Sequence, residues 1–131
     1  MITKEDVQTL ILSGELVLGC SQDKLCIPIV NRLYIKMISG LSFTAIKVVD
    51  NLICNGHHRY IASCLAGISI GIDPYVITNA TEKKNWELVH LDENDWESED
   101  DINIHNQKDA EVNNMKMSEL QDLLSNKAKK V

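Results

Sequence analysis

The sequence predicts one α+β domain followed by an acidic C-terminal extension. The chain has 131 residues and is 44% hydrophobic, which suits one domain with a real core better than two. Helical spacing over residues 28–40 gives way to short β-branched runs over 43–54. Residues 1–80 carry six basic and six acidic side chains, and residues 81–131 carry seven and thirteen. We therefore expect the domain over 1–91, and over 92–131 an acidic loop and a C-terminal helix that packs on it or binds a partner.

Two helices are predicted before residue 41. Thr3 followed by Asp6 indicates the capped start of an amphipathic helix that closes near Gly14, and a short extended "ELVLG" follows it. Pro28 suits the first turn of the second helix and Gly40 suits its end. The apolar face of the second helix comprises Ile29, Val30, Leu33, Tyr34, Met37 and Ile38.

A β-hairpin is predicted next, because "FTAIKVV" and "LIC" are separated by Asp50 and Asn51, which suit a two-residue turn. The hairpin leads to Gly56. A helix then follows up to Gly67, and "DPYVIT" indicates another strand. The predicted local order is strand, glycine turn, helix, strand.

The C-terminal third gives three further expectations. "ITNATEKKNWELVHL" predicts a strand pair with "ATEKKN" as its turn, and with Trp86 and Leu88 packed on the domain. In "DENDWESEDD" seven of ten residues are acidic, which indicates a solvated loop anchored by Trp96 or, alternatively, a surface that docks a partner. "MSELQDLLSNKAKKV" predicts a helix capped by Ser118, with its leucines on one face.

The four cysteines show no C-x-x-C spacing and lie in or beside apolar stretches. They are predicted to be free, buried thiols in a reducing compartment, and a zinc site of Cys20, Cys26 and a histidine is the alternative. The N-terminal segment is typical of neither a secretory signal nor a membrane span. We expect a cytoplasmic protein with no membrane association.

The stretch "ICNGHHRY" concentrates candidate site residues at a helix start. Gly56 allows a sharp backbone turn, and the helix that follows presents unpaired N–H groups and the positive end of its dipole. His57, His58 and Arg59 add donors and a fixed cation, so an anion site is predicted. The alternative is a polar helix start in which His58 bonds a carbonyl and Arg59 is a surface cation. The even charge over residues 1–80 argues against nonspecific nucleic-acid binding as the function.

The motif "LICNGHHRYIASCLAGI" resembles the central motif of the ParB N-terminal domain and sulfiredoxin superfamily. In that superfamily a β-hairpin leads into G-x-x-R or G-x-H-R and then into a helix closed by glycine, and the resemblance covers residues 25–79. It implies a small mixed sheet in a ParB/sulfiredoxin-like domain. Versions with two histidines are similar to ParB-like nucleases, to nucleotide-dependent phosphotransfer domains including a free serine kinase, and to toxin domains of bacterial conflict systems.

The resemblance assigns roles position by position. His58 and Arg59 match the residues that contact ATP phosphates in sulfiredoxin, so Gly56, His58 and Arg59 are the implied nucleotide contacts. His57 stands where sulfiredoxin has its catalytic cysteine, which argues against a sulfinic-acid reductase and leaves His57 as the candidate catalytic residue. No N-P-x-Q-P-R stretch precedes the second helix and no helix-turn-helix domain follows, which argues against a chromosome-partitioning role.

The resemblance implies ATP or another nucleotide with Mg²⁺ as cofactor, and phosphotransfer or phosphodiester hydrolysis as the activity. Such chemistry requires a carboxylate, for which Glu15, Asp23 and Asp50 are the upstream candidates. None lies in a recognisable motif, and Asp50 suits a turn. The alternatives are a non-catalytic interaction module and a nuclease-like effector domain.

Overall fold

The structure is a computed structural model that describes residues 1–75 and 82–130, with side chains through residue 126. It confirms a small α+β arrangement. The described elements, in chain order, are α1 (Lys4–Leu12), β1 (Lys24–Cys26), α2 (Ile27–Ile38), β2 (Ile46–Val49), β3 (Leu52–Asn55), α3 (His57–Ala66), β4 (Ile72–Pro74), a 3₁₀ turn (Trp86–Leu88), β5 (His90–Asp92), α4 (Glu99–Val112) and α5 (Met117–Lys130).

The first two helices begin and end where the sequence predicted. The Thr3 hydroxyl accepts from the Asp6 amide while the Asp6 carboxylate accepts from the Thr3 amide, a reciprocal cap that satisfies two free donors of α1. In α2 the proline lies in the first turn, and Gly40 has a positive φ just beyond the end. By contrast, "ELVLG" contributes only a single bridge, from Gly19 to Leu52, and forms no strand.

The hairpin prediction is confirmed. Strands β2 and β3 pair in antiparallel fashion, and Asp50 and Asn51 both adopt positive φ in the turn, as a tight two-residue hairpin requires. Strand β4 lies parallel to β2 on its other side, so the three strands form a small mixed sheet in the order β3-β2-β4. Residues 76–78 of the predicted "DPYVIT" strand lie outside the described residues.

The predicted strand pair over residues 77–91 needs correction. Residues 76–81 lie outside the described residues, Trp86–Leu88 form a 3₁₀ turn, and β5 pairs in parallel with the distant β1. Trp86 packs on the core and its indole N–H donates to the Leu18 carbonyl at 2.9 Å. Leu88, however, is 81% exposed, so its predicted packing was wrong.

Two apolar clusters hold the elements together. The main core joins α1, α2, α3 and the sheet around Leu25, Val30, Ile46, Ile53 and Ile61, all fully buried. The second cluster fixes the C-terminal helices through Leu41, Ala110 and Leu120, with Leu123 and Leu124 partly buried against it. The apolar face of α5 thus packs within the chain.

The acidic segment contains a helix that the sequence analysis treated as a loop. Ser98 caps α4: its hydroxyl accepts from the Asp101 amide, and the Asp101 carboxylate accepts from the Ser98 amide. Helix α5 begins at Met117, so Ser118 lies inside its first turn and does not cap it as predicted; the Glu119 carboxylate instead accepts from the Lys116 amide. None of the described helices is long and apolar enough to cross a bilayer.

Candidate functional site

Gly56 joins β3 to α3 in a conformation that suits glycine. Its φ is +103°, in the left-handed region, and a Cβ built there would lie 2.5 Å from Cγ2 of Ile46. Because Gly56 has no side chain to cap α3, the amide groups of His57, His58 and Arg59 have no acceptor within the described part of the chain. The helix begins at His57, as the sequence predicted.

Both imidazoles of the motif hold backbone amides of the preceding segment. Nε2 of His57 accepts from the Ser21 amide, and Nε2 of His58 accepts from the Cys26 amide, each at 2.9 Å. His57 is 3% exposed, and its ring lies edge-on to Trp86. The ring of His58 lies edge-on to Trp96, with 5.4 Å between ring centroids. His57 therefore fixes the loop at Ser21 against α3, and His58 fixes the end of β1.

Burial keeps both rings neutral at physiological pH. Desolvation, with a smaller contribution from the neighbouring His58, lowers the pKa of His57 to about 4. Desolvation also lowers the pKa of His58 to about 4, although the negative charge of Glu97 opposes this. Because Nε2 of each ring accepts a bond, the ring proton resides on Nδ1.

The guanidinium of Arg59 supports the turn and keeps free donors. Nη1 donates to the carbonyl and hydroxyl of Thr44 at 2.9 and 2.7 Å, and Nη2 donates to Oδ1 of Asn55 at 3.0 Å. One hydrogen of Nη2 and the Nε–H group find no acceptor among the described residues. Burial lowers the pKa of Arg59, while the negative charge of Asp109 raises it.

The motif turn opens on a cavity of about 710 Å³. The predicted residues Gly56, His57, His58 and Arg59 all line it, so the structure brings these four together. Helix α2 forms a second side with Arg32 and Lys36 among its lining residues, and α4 forms a third side with His105, Asn106 and Asp109 among its own. Phe43 adds an aromatic surface.

Ion pairs join α2 to the C-terminal segment at the wall of this cavity. Arg32 donates to both carboxylate oxygens of Asp95 and to Glu97, and these bonds raise its pKa. Lys36 donates to Asp109 at 2.6 Å. The sequence patterns predicted no site role for Arg32, Lys36, Glu97 or Asp109. The available signal was the i, i+4 spacing of Arg32 and Lys36, which places both cations on one face of a helix.

The upstream carboxylates do not reach this cavity. Asp50 lies in the hairpin turn, Asp23 is 3.5 Å from Lys84, and Glu15 follows α1; none of the three lines the cavity. The carboxylates that line it come from the downstream side, namely Glu97, Asp109 and Glu111. Any carboxylate that acts in this cavity therefore belongs to the acidic segment.

The four cysteines are free thiols, as predicted, but only Cys20 and Cys26 are buried, whereas Cys54 and Cys64 are partly exposed. Sγ of Cys20 bonds the Lys84 carbonyl and Sγ of Cys26 bonds the Asn94 carbonyl, so both act as buried donors. Burial raises the pKa of Cys20. Over residues 1–75 and 82–130 no three His, Cys, Asp or Glu side chains are grouped to hold a metal ion, which leaves the zinc alternative without a ligand set there.

Comparisons with models of known protein families, with curated proteins and with solved structures find no match. The relation to the ParB and sulfiredoxin superfamily consequently stays a prediction from the motif.

Proposed function

We propose that the protein binds a phosphate-bearing small molecule, of which a nucleotide is the leading class, in the cavity between α2, α3 and α4. The phosphate lies against the N-terminus of α3, and the remainder of the ligand lies towards Phe43. In this proposal the chain is a ParB/sulfiredoxin-type domain, a relation supported by the hairpin, the glycine turn and the mixed sheet.

One observation carries this proposal. The residues with unpaired amides at the start of α3, and Arg59 with its free donors, line the same cavity. A helix N-terminus favours an anion by about 0.3–1 kcal/mol through its dipole, and a charged hydrogen bond adds roughly 1.5–3 kcal/mol. Together these contributions support modest affinity for a phosphate.

The two histidines receive a positioning role in this proposal. Nε2 of each ring is occupied by a backbone amide, so proton abstraction at that nitrogen would release the loop that the ring holds. Phosphotransfer or phosphodiester hydrolysis with His57 as catalytic residue, and with Mg²⁺, remains the activity to assay. His57→Ala should separate the two roles, since a catalytic loss lowers turnover more than binding.

Calorimetric titration with ATP, ADP, CTP and inorganic phosphate, with and without Mg²⁺, tests the binding site. Arg59→Ala should weaken binding by about ten- to a hundredfold, because it removes a charged hydrogen bond. Lys47→Ala is the matched control, since Lys47 is an exposed cation paired with Asp73 and does not line the cavity. Circular dichroism checks that both variants are folded.

Absence of binding by all four ligands at millimolar concentration would contradict the proposal, as would equal weakening by the two variants. A protein-interaction module would then be the better reading. One observation favours that second candidate: Leu12, Val17 and Leu88 are each more than two-thirds exposed. The free thiols support the reducing, cytoplasmic location expected for either function.

A further inference from the structure

We infer that Lys36 is a principal charge contact of the bound anion and that the carboxylate of Asp109 occupies the anion's place in the free protein. A phosphate that enters the cavity would then displace Asp109, so α4 regulates access to the site. This inference rests on the proposed function and specifies how the same cavity is controlled.

Lys36 is a buried cation of α2. Lys36 is 4% exposed although it carries a charged ammonium group, and a buried ammonium is costly unless an anion pairs with it. That anion is Asp109, which lies 2.6 Å from the Lys36 ammonium and 73 residues later in the chain. The site for a negative charge is therefore built by α2, while the charge that fills it comes from α4.

Asp109 lies on the same cavity as the cations of α2 and α3. Its negative charge raises the pKa of Arg59 against the effect of burial. Asp109 thus pairs with Lys36 of α2 and lies on the cavity that Arg59 of α3 also lines. A carboxylate and a phosphate oxygen make the same kind of charge-assisted hydrogen bond, and one can replace the other.

Helix α4 is attached to the rest of the chain mainly by polar contacts. Among its fourteen residues only Ala110 is buried, so α4 contributes little apolar contact to the fold. It is held largely by polar groups: the Lys36 pair, the Arg32 pairs just before the helix, and two hydrogen bonds between Asn113 and Ser42 just after it. An element with few buried apolar contacts can separate from its neighbours at low cost.

Asp109→Asn tests this inference, because it removes the competing charge and preserves the side-chain size. Inorganic phosphate and ATP should bind this variant at least about tenfold more tightly than wild type, because the Asp109 carboxylate no longer competes for the charged hydrogen bond from Lys36. Phosphate should also raise the unfolding temperature of the variant more than that of wild type, since it supplies the missing counter-ion to Lys36. Asp122→Asn is the matched control: Asp122 is an exposed aspartate on α5 and does not line the cavity.

The possible results separate the two proposals. If wild type binds phosphate and Asp109→Asn binds it no more tightly, the ion pair is structural and this inference fails while the proposed function stands. If neither protein binds inorganic phosphate, ATP, ADP or CTP, the proposed function fails and this inference fails with it.

A measurement on wild type covers the case in which Asp109→Asn does not fold. Saturating phosphate should accelerate hydrogen exchange in α4 and leave α2 and α3 protected, because the ligand releases α4. Unchanged or slower exchange in α4 would overturn the inference.

Discussion

At the scale of single residues, the side chains of the motif at residues 56–59 make contacts that their residue types alone do not predict. Gly56 permits the turn, His57 and His58 hold backbone amides, and Arg59 divides its donors between the turn and the cavity. Residue type alone predicted that Gly56, His57, His58 and Arg59 gather at a helix start, and the structure places all four on one cavity. Residue type could not predict that the imidazoles face Ser21 and Cys26, because those contacts depend on a segment more than 30 residues earlier.

Gly56→Ala should lower the free energy of unfolding by about 2–5 kcal/mol. Part of this arises from the positive φ and the rest from the contact of a Cβ with Ile46. Gly40→Ala is the matched control, since Gly40 also has a positive φ but open space around its Cα, and should cost only about 1–2 kcal/mol. Urea denaturation measures both, and equal losses would show that the contact with Ile46 relaxes freely.

At the scale of elements, local sequence signals predicted the helices and the hairpin that local interactions form. Helices α1, α2 and α3 and the hairpin carry caps, turn residues and apolar periodicity within their own sequence. Helix α4 was missed because it buries only Ala110 and so lacks an apolar stripe. Its available signal was Ser98 three residues before Asp101, a capping pair hidden in a run of acidic residues.

The paired partners of strands were the other difficulty. Strand β5 pairs with β1, although the sequence between them contains the whole motif region. Periodicity indicates that a segment is a strand but not which distant strand it joins. The cavity depends on the same kind of long-range contact, so the motif side of the site was predictable and the α2 and α4 sides were not.

Ser98→Ala should destabilise α4 by about 1 kcal/mol through loss of the cap. Because α4 is attached mainly by polar contacts, its amides should exchange faster while those of α2 and α3 do not change. Thr3→Ala removes the equivalent cap from α1 and is the matched comparison, since α1 buries Val7 and Leu10 in the main core. Hydrogen exchange with mass spectrometry distinguishes local opening of α4 from a loss of protection throughout the chain, which would contradict the prediction.

At the scale of the whole molecule, the buried histidines link stability to pH. Folding lowers the pKa of His57 and of His58 from the ordinary value of 6.5 to about 4. The unfolded chain therefore takes up protons before the folded protein does as the pH falls. The stabilisation from these two rings is complete above pH 6.5 and is lost between about pH 6.5 and 4.

The free energy of unfolding should accordingly fall by up to about 3 kcal/mol for each ring over that interval. Urea denaturation between pH 7.5 and 5 measures the upper part of the loss, where carboxylates contribute least. His57→Gln should show a shallower dependence, because glutamine can accept the Ser21 amide without titrating. Constant stability of wild type from pH 6.5 to pH 5 would contradict the neutral, buried state of both rings.

The long separation between Lys36 and Asp109 also has a consequence for synthesis of the chain on the ribosome. The two residues are 73 positions apart, and at about 5–20 residues per second the second is added roughly 4–15 seconds after the first. Until Asp109 is added, Lys36 lacks the carboxylate that accompanies its buried ammonium group in the folded chain.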